Sequence, residues 1–355
     1  MDREQLIVEI YDRVSKAYNW LFNSGIRSGH WNEVRSTALV GLCLKLREPL
    51  NSPWLESVKN WLLRQQKPFG GDMASWGEEL WDTSTALLAL KSLGVPPKAP
   101  QYQRAVNWVM HLYNESGRNN WSDEPWETFW SLLAVFEAQP EGWPDITLKA
   151  TNWLLSLQDS GGRIIAPHYT AYFVLVAYKL LNDNPVLSPQ EKSEFSTAVT
   201  KAVQYLREVI NEETLWTGEA WSNGQILWIL SMTGQFPFSD DEILQKVVHW
   251  FFREQKENGW WSGVEDTASA ILGLLSLAKN LESISDIELQ KRLSILLKTP
   301  TLCLRRRLVV REEDGYISIN ISPNLQKIIA ILLGIASTAT TIIALWDRVV
   351  TLFDR

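Results

Sequence analysis

Glu265 and Asp266 stand side by side immediately ahead of the apolar run Ser269-Ala-Ile-Leu-Gly-Leu-Leu275, and Asp82 and Glu127 stand just ahead of two similar runs, Ala86-Leu-Leu-Ala-Leu90 and Ser131-Leu-Leu-Ala-Val135. Carboxylates at helix starts have two uses: they cap the backbone amides of the first turn, or, where burial keeps the carboxyl neutral, they donate a proton. A lone carboxyl at a helix N-terminus tends to ionise, because the helix dipole favours the anion. Capping is therefore the expectation for all four taken alone. Trp81, Trp126, Trp221 and His168 occupy equivalent places at helix starts. They would supply aromatic surface, and one imidazole, at the same level as the carboxylates.

These side chains are positioned by a repeat. Six copies of one helix carry the anchor aromatics Trp20, Trp61, Trp108, Trp153, Tyr205 and Trp250, at intervals of roughly 40 to 50 residues, which suits one helical hairpin per copy. Five tryptophans, Trp31, Trp76, Trp121, Trp216 and Trp261, close one helical pattern before the next opens, with Arg163 in that place in the fourth copy. Between anchor and marker, Gln65 with Gly70-Gly71, Gln158 with Gly161-Gly162 and Gln255 with Gly259 read as helix-ending turns. Counting five residues on from each marker reaches Ser36-Thr37, Trp81-Asp82-Thr83, Trp126-Glu127-Thr128, His168-Tyr169-Thr170, Trp221-Ser222-Asn223 and Asp266-Thr267. Their short polar residues are the expected N-caps of the second helices. Six such hairpins predict an all-α, double-walled (α/α)6 toroid. The more uniformly apolar second helices form its inner wall, and their N-termini meet at one mouth.

The Gln…Gly-Trp repeats, as in Gln255-Lys-Glu-Asn-Gly-Trp-Trp261, and the Asp266-Thr-Ala268 helix start resemble the terpenoid-cyclase and protein-prenyltransferase α/α toroids over roughly residues 10 to 280. The resemblance implies a ring of helices and, in the cyclase branch, an Asp-x-Asp-Asp-Thr-Ala motif whose middle aspartate protonates an alkene. Gly263-Val-Glu-Asp-Thr-Ala268 puts Glu265 at the acid's place and Asp266 at the last aspartate, with Gly263 where the first should be; Leu80-Trp-Asp-Thr-Ser84 keeps only Asp82. The prenyltransferase branch implies zinc held by an aspartate, a nearby cysteine and a distant histidine. Neither Cys43 nor Cys303 follows an aspartate by two residues, and His30, His111, His168 and His249 show no ligand spacing. No metal and no other cofactor is therefore expected.

A net charge of −7, with no basic stripe interleaved with aromatics in the toroid, argues against nucleic acid as a partner. Two cysteines in unrelated contexts form no disulfide framework and suit a reducing cytosol. The charged start Met1-Asp-Arg-Glu-Gln5 has no apolar core and does not read as a signal peptide.

Three regions are expected: the toroid over 1–283, a linker and β-hairpin over 284–323, and an apolar helix over 324–355. The hairpin is read from Leu302–Arg311 and Tyr316–Ile321 around Asp314-Gly315. Ile328 to Trp346 carries no charge and as a helix would span about 28 Å, close to a bilayer core of about 30 Å. Ser337, Thr338, Thr340 and Thr341 leave a buried or partner-packed helix as the alternative. Ala330, Gly334 and Thr338 recur at four-residue spacing, a pattern that favours self-association of membrane helices. Arg305, Arg306, Arg307, Arg311 and Lys327 precede the segment, which places the toroid in the cytoplasm as a tail-anchored protein.

Two functions follow. One is a membrane-anchored, non-catalytic toroid whose mouth, with Trp81, Trp126, Glu127, His168 and Trp221, binds an apolar or peptide-like ligand or a protein partner, a membrane effector that oligomerises being a specific version. The other is an isoprenoid cyclase with Glu265 and Asp266, or Asp82, as its acid and aromatic π faces stabilising carbocations.

Overall fold

The computed structural model describes residues 3–25, 29–31, 33–48, 50–237, 240–298, 309–313 and 316–320, with backbone only from residue 284 onward. The chain divides into two units, Met1–Ile284 and Ser285–Arg355. In the first, helices alternate between an outer set, α1 (Arg3–Gly25), α3 (Pro53–Gln65), α5 (Pro100–Ser116), α7 (Trp143–Ser156), α9 (Pro189–Glu208) and α11 (Asp241–Glu254), and an inner set. The inner set is α2 (Val34–Lys45), α4 (Leu80–Ser92), α6 (Pro125–Ala138), α8 (Pro167–Asp183), α10 (Ala220–Met232) and, up to the unit boundary at Ile284, α12 (Val264–Lys298). An all-α toroid of six helical hairpins is thus the architecture.

The two walls differ in sequence for a physical reason. Helix α11 buries Leu244, Val247, Val248 and Phe251, one stripe at three- and four-residue spacing, and turns its charges to solvent. Helix α10 is covered on nearly every side, burying Ile226, Leu227, Ile229 and Leu230 together with Ser222, Asn223, Gly224 and Gln225. A helix apolar almost all round must sit inside. Neighbouring inner helices pack in sequence order, α2 on α4, α4 on α6, α6 on α8 and α8 on α10, while the backbone of Ser269 on α12 lies where a Cβ on Gly224 of α10 would fall. The ring closes between its ends. Trp20 of α1 stacks on Trp260 with ring centroids 5.0 Å apart, Gln255 Nε2 donates to the Arg13 carbonyl at 3.0 Å, and Arg35 of α2 meets Glu265 of α12.

The marker tryptophans are staples. Each indole N–H donates to a carbonyl in the second half of the preceding outer helix: Trp31 to Leu21, Trp76 to Leu62, Trp121 to Val109, Trp216 to Leu206 and Trp261 to Phe251. Each backbone N–H donates forward to a buried side chain in the first turn of the inner helix: Thr37, Thr83, Thr128, Asn223 and Thr267. In the fourth copy Ile164, not Arg163, fills the marker place and donates to Thr170 at 2.9 Å; Arg163 is exposed.

This register corrects the expected caps. The N-cap residues of α2, α4, α6 and α10 are Glu33, Glu79, Glu124 and Glu219, none with a side-chain capping bond. Asp82, Glu127, Glu265 and Asp266 lie inside the first turn. The short polar residues are drawn inward because the marker N–H, itself buried, needs an acceptor.

The glycines act differently from helix terminators. Helix α7 ends at Ser156 and α11 at Glu254, before Gly162 and Gly259, which serve close approach. A Cβ on Gly162 would lie 2.3 Å from the Lys201 carbonyl oxygen, and one on Gly259 2.6 Å from that of Lys16. Gln158 and Gln255 tie the same crossings to the Ala198 and Arg13 carbonyls. In the second copy the turn is instead a small antiparallel pair, β1 (Lys67–Gly70) with β2 (Met73–Ser75). The reading of Gly70-Gly71 as a helix stop gave no hint of it.

In the second unit, β3 (Val309–Glu313) pairs antiparallel with β4 (Tyr316–Asn320), Arg311 opposite Ser318; a hairpin is expected here, but its first strand runs on through Glu312 and Glu313, beyond the expected end at Arg311, and 302–308 lie outside the described residues. The tail anchor is corrected. Among the described residues no helix is long and apolar enough to cross a membrane. Even α12, the longest at 35 residues, is broken by Lys279, Glu282, Asp286, Glu288, Lys291 and Arg292. Ile328 to Trp346, with Ala330, Gly334 and Thr338, lies outside the described residues, and the cytoplasmic, tail-anchored placement is withdrawn.

Candidate functional site

Aligning the six inner helices on the clamp residues Thr37, Thr83, Thr128, Thr170, Asn223 and Thr267 puts one side chain from each at the same level of the mouth, two residues earlier: Arg35, Trp81, Trp126, His168, Trp221 and Glu265. These make a nearly continuous circuit. Arg35 Nε donates to Glu265 Oε1 at 2.8 Å, and Ser36 Oγ donates to the same oxygen at 3.0 Å. The Arg35 guanidinium carbon lies 4.1 Å from the centre of the Trp81 ring. Trp81 meets Trp126 at 5.0 Å and Trp130 at 6.3 Å, Trp130 meets Tyr172 at 6.0 Å, Tyr172 meets His168 at 5.9 Å, and His168 meets Trp221 at 5.4 Å. The Trp221 backbone N–H then donates to Asp266 Oδ1 at 3.0 Å, returning to α12.

One turn deeper the ring is filled. In a helix the residue four positions on lies on the same face, which gives Leu39, Thr85, Trp130, Tyr172, Gln225 and Ser269. None is more than 3 % exposed. A chamber of roughly 300 Å³ or more, the size of an ordinary small-molecule cavity, would leave its lining open to water. Instead Phe129 and Tyr172 stack at 4.0 Å, the Tyr172 hydroxyl donates to Gln225 Oε1, and Gln225 Nε2 reaches Ser269 Oγ at 3.5 Å. The mouth is a shallow basin with an aromatic and polar floor. Two open grooves, about 680 and 570 Å³, lie elsewhere, between α7 and α9 and between α9 and α11 on the outer wall.

The basin is acidic. Besides the N-cap glutamates, the first turns add Asp82, Glu127, Glu265 and Asp266, and Arg35 is the one basic side chain at these six helix starts. It sits within 3.9 Å of Glu33 and Glu79 as well as Glu265. Burial pushes the Asp82 carboxyl up to about 6; Arg35 opposes this, while Glu79, Glu33 and Glu265 add to it. Burial likewise raises Asp266, against the hydrogen bond from the Trp221 N–H. His168 is pushed down to about 4 by burial, so its imidazole is neutral at pH 7.

The sequence-predicted residues are therefore only partly gathered. Trp81, Trp126, His168 and Trp221 share the mouth with Asp82, Glu265 and Asp266, and Glu127 stands half-buried beside Trp126 in chain order. Glu265, at the acid's place in the cyclase motif, is held by a guanidinium. Asp266 accepts from a neighbouring helix. Among the described residues no three His, Cys, Asp or Glu side chains group so as to hold a metal ion. Arg35 was missed because a fixed count from the tryptophan slips by one residue in the first and sixth copies; counting from the threonine finds it. Trp130, Tyr172 and Gln225 were legible as the positions four residues beyond the mouth aromatics.

No family model matches the sequence, and no curated protein matches it. Solved structures do. The apo type II terpene cyclase MstE from Scytonema superposes with a TM-score of 0.59 at 12 % identity, covering 77 % of this chain and 99 % of that one. A variant of it in complex with geranylgeranyl dihydroxybenzoate, its substrate, gives 0.55 at 12 % identity over 78 % and 99 %. A protein from Actinoplanes gives 0.53 at 15 % identity over 76 % and 99 %. At these identities the likeness is one of fold, and the chain has a terpenoid-cyclase-like α/α toroid.

Proposed function

We propose that this toroid is a recognition module whose aromatic, carboxylate-rich mouth binds an apolar or peptide-like ligand or a protein partner without transforming it. The observation that supports this reading is the filled layer from Leu39 to Ser269 one turn beneath the mouth. Folding an isoprenoid chain for cyclisation needs a dry chamber that surrounds the chain, and a shallow basin leaves it in water. Recognition needs only the rim, where large rigid aromatics provide contact area at low entropic cost.

One observation favours the second reading, an isoprenoid cyclase with Asp82 as acid. Burial raises the Asp82 carboxyl to about 6, so near neutral pH it keeps a larger share of its proton than an ordinary aspartate, and neighbouring Arg35 would stabilise the carboxylate left after transfer. Glu265 is poorly suited to this role, since its Oε1 is already engaged by hydrogen bonds from Arg35 Nε and Ser36 Oγ. Product analysis separates the readings. Wild-type protein incubated with squalene, geranylgeranyl dihydroxybenzoate and C15 to C20 prenyl diphosphates is expected to return them unchanged. A cyclised product that disappears in Asp82→Asn or Glu265→Gln would overturn the recognition reading.

A further inference from the structure

We infer that the ligand group taken by this mouth is an organic cation, a protonated alkylamine or a guanidinium, held between aromatic faces and carboxylates on the α8, α10 and α12 side of the basin. The inference rests on the recognition reading and specifies its chemistry.

The other side of the basin shows the interaction already made internally. Arg35 lies over the Trp81 ring at 4.1 Å while its Nε bonds Glu265 at 2.8 Å. An aromatic face below and a carboxylate at the edge is the arrangement that holds an organic cation best, since the ring quadrupole and the anion add. Across the basin the same two components recur, and among the described residues no basic side chain pairs with Asp266. The Trp221 ring stands against His168 at 5.4 Å, and Asp266 accepts the Trp221 backbone N–H through Oδ1 at 3.0 Å, which holds its carboxyl beside the start of α10.

Two further facts point to a bound group. His168 Nδ1 is covered by the protein and makes no hydrogen bond; in the neutral ring it is an acceptor without a donor, which an ammonium or guanidinium N–H would fill on displacing that cover. A neutral imidazole also adds no repulsion. The half-buried carboxyl of Asp266, disfavoured as an anion by its surroundings, would be relieved by an incoming positive charge. A purely apolar ligand would satisfy neither group. An anionic one would be repelled by Glu219, Glu265 and Asp266.

The cation has two possible sources, a free amine or a lysine or arginine side chain on a peptide, and the probes distinguish them. Full-length protein is titrated calorimetrically with n-butylammonium and n-butylguanidinium, with 1-pentanol as the uncharged control, and then with short capped peptides carrying lysine, arginine or norleucine. The expected result is saturable binding of the cations, at least tenfold weaker binding of the neutral partners, and weakening with added salt. Tighter binding of the peptides than of the free amines identifies a side chain as the source; equal binding identifies a free amine. Asp266→Asn, which keeps the acceptor for the Trp221 N–H, should weaken cation binding about tenfold, and Trp221→Leu likewise. If Trp221→Leu does not fold, Asp266→Asn alone decides. Cations and neutral partners binding alike, cations failing to bind, or binding unchanged in Asp266→Asn would each overturn the inference. The recognition reading fails separately, through a cyclised product.

Discussion

Arg35 Nε donates to Glu265 Oε1 at 2.8 Å across 230 residues of sequence, and this contact joins the first inner helix to the last. Arg35 also lies near Glu33 and Glu79 and over Trp81, so the two partners are not equivalent. Glu265→Ala leaves the guanidinium other carboxylates and should cost about 1 kcal/mol. Arg35→Ala leaves an acidic mouth without its cation and removes the cover of Trp81, so it should cost about 2–3 kcal/mol. Urea midpoints measure both. Equal losses, or the reverse order, would show that Arg35 does not organise the mouth.

The threonine clamp predicts a sharper contrast. Thr83 Oγ1 accepts the Trp76 backbone N–H at 3.0 Å, and both residues are buried. Thr83→Val keeps the shape and removes the acceptor, stranding that N–H at a cost of about 1–3 kcal/mol. Thr83→Ser keeps the oxygen and should cost under about 1.5 kcal/mol, the loss of one methyl group. A valine variant as stable as wild type would mean the clamp contributes nothing.

The ring was legible because its periodicity is carried by packing residues. The marker tryptophans and the apolar second helices report burial, and the anchor aromatics, buried or half-buried, pack against the same core, which sequence shows directly. The mouth was less legible because it depends on register within a single turn. A one-residue difference in the link from Trp31 or Trp261 to the inner helix exchanges Arg35 for Ser36, and Glu265 for Asp266, at the rim. No pattern in one copy reveals that the threonine sets the register; the backbone N–H of the marker does. The residues of the floor, Trp130, Tyr172 and Gln225, could be placed by helical spacing, but that they fill the ring was hidden, since they meet only when separate helices are brought together.

Gly162 tests the packing between outer helices. Its φ is +93°, and an added Cβ would fall 2.3 Å from the Lys201 carbonyl oxygen, a backbone atom that cannot swing aside. Gly162→Ala should therefore combine backbone strain with displacement of α9 and cost about 3 kcal/mol or more. Gly117, with φ +59° and open space around it, is the control: alanine there should cost about 1 kcal/mol. Thermal melting of the two variants measures the difference, and similar melting points would rule out the close contact as the reason for glycine.

Asp82 and His168 should give the mouth two opposed pH dependences. Burial raises Asp82 from 3.8 to about 6, so between those values the folded protein holds a proton that the unfolded chain has released. Stability then falls as pH rises through that window. Burial lowers His168 from 6.5 to about 4, so there the unfolded chain holds the extra proton, and stability rises over nearly the same window. In wild type the two slopes largely offset each other. Asp82→Asn removes the first and should make stability climb more steeply than wild type from pH 4.5 to 6.5, by about 1–2 kcal/mol. His168→Phe removes the second and should turn the difference from wild type the other way by a similar amount. Urea unfolding across this range, taken as variant minus wild type to cancel the remaining carboxylates, reads both signs. Differences of the same sign, or flat ones, would show that neither group is buried as described.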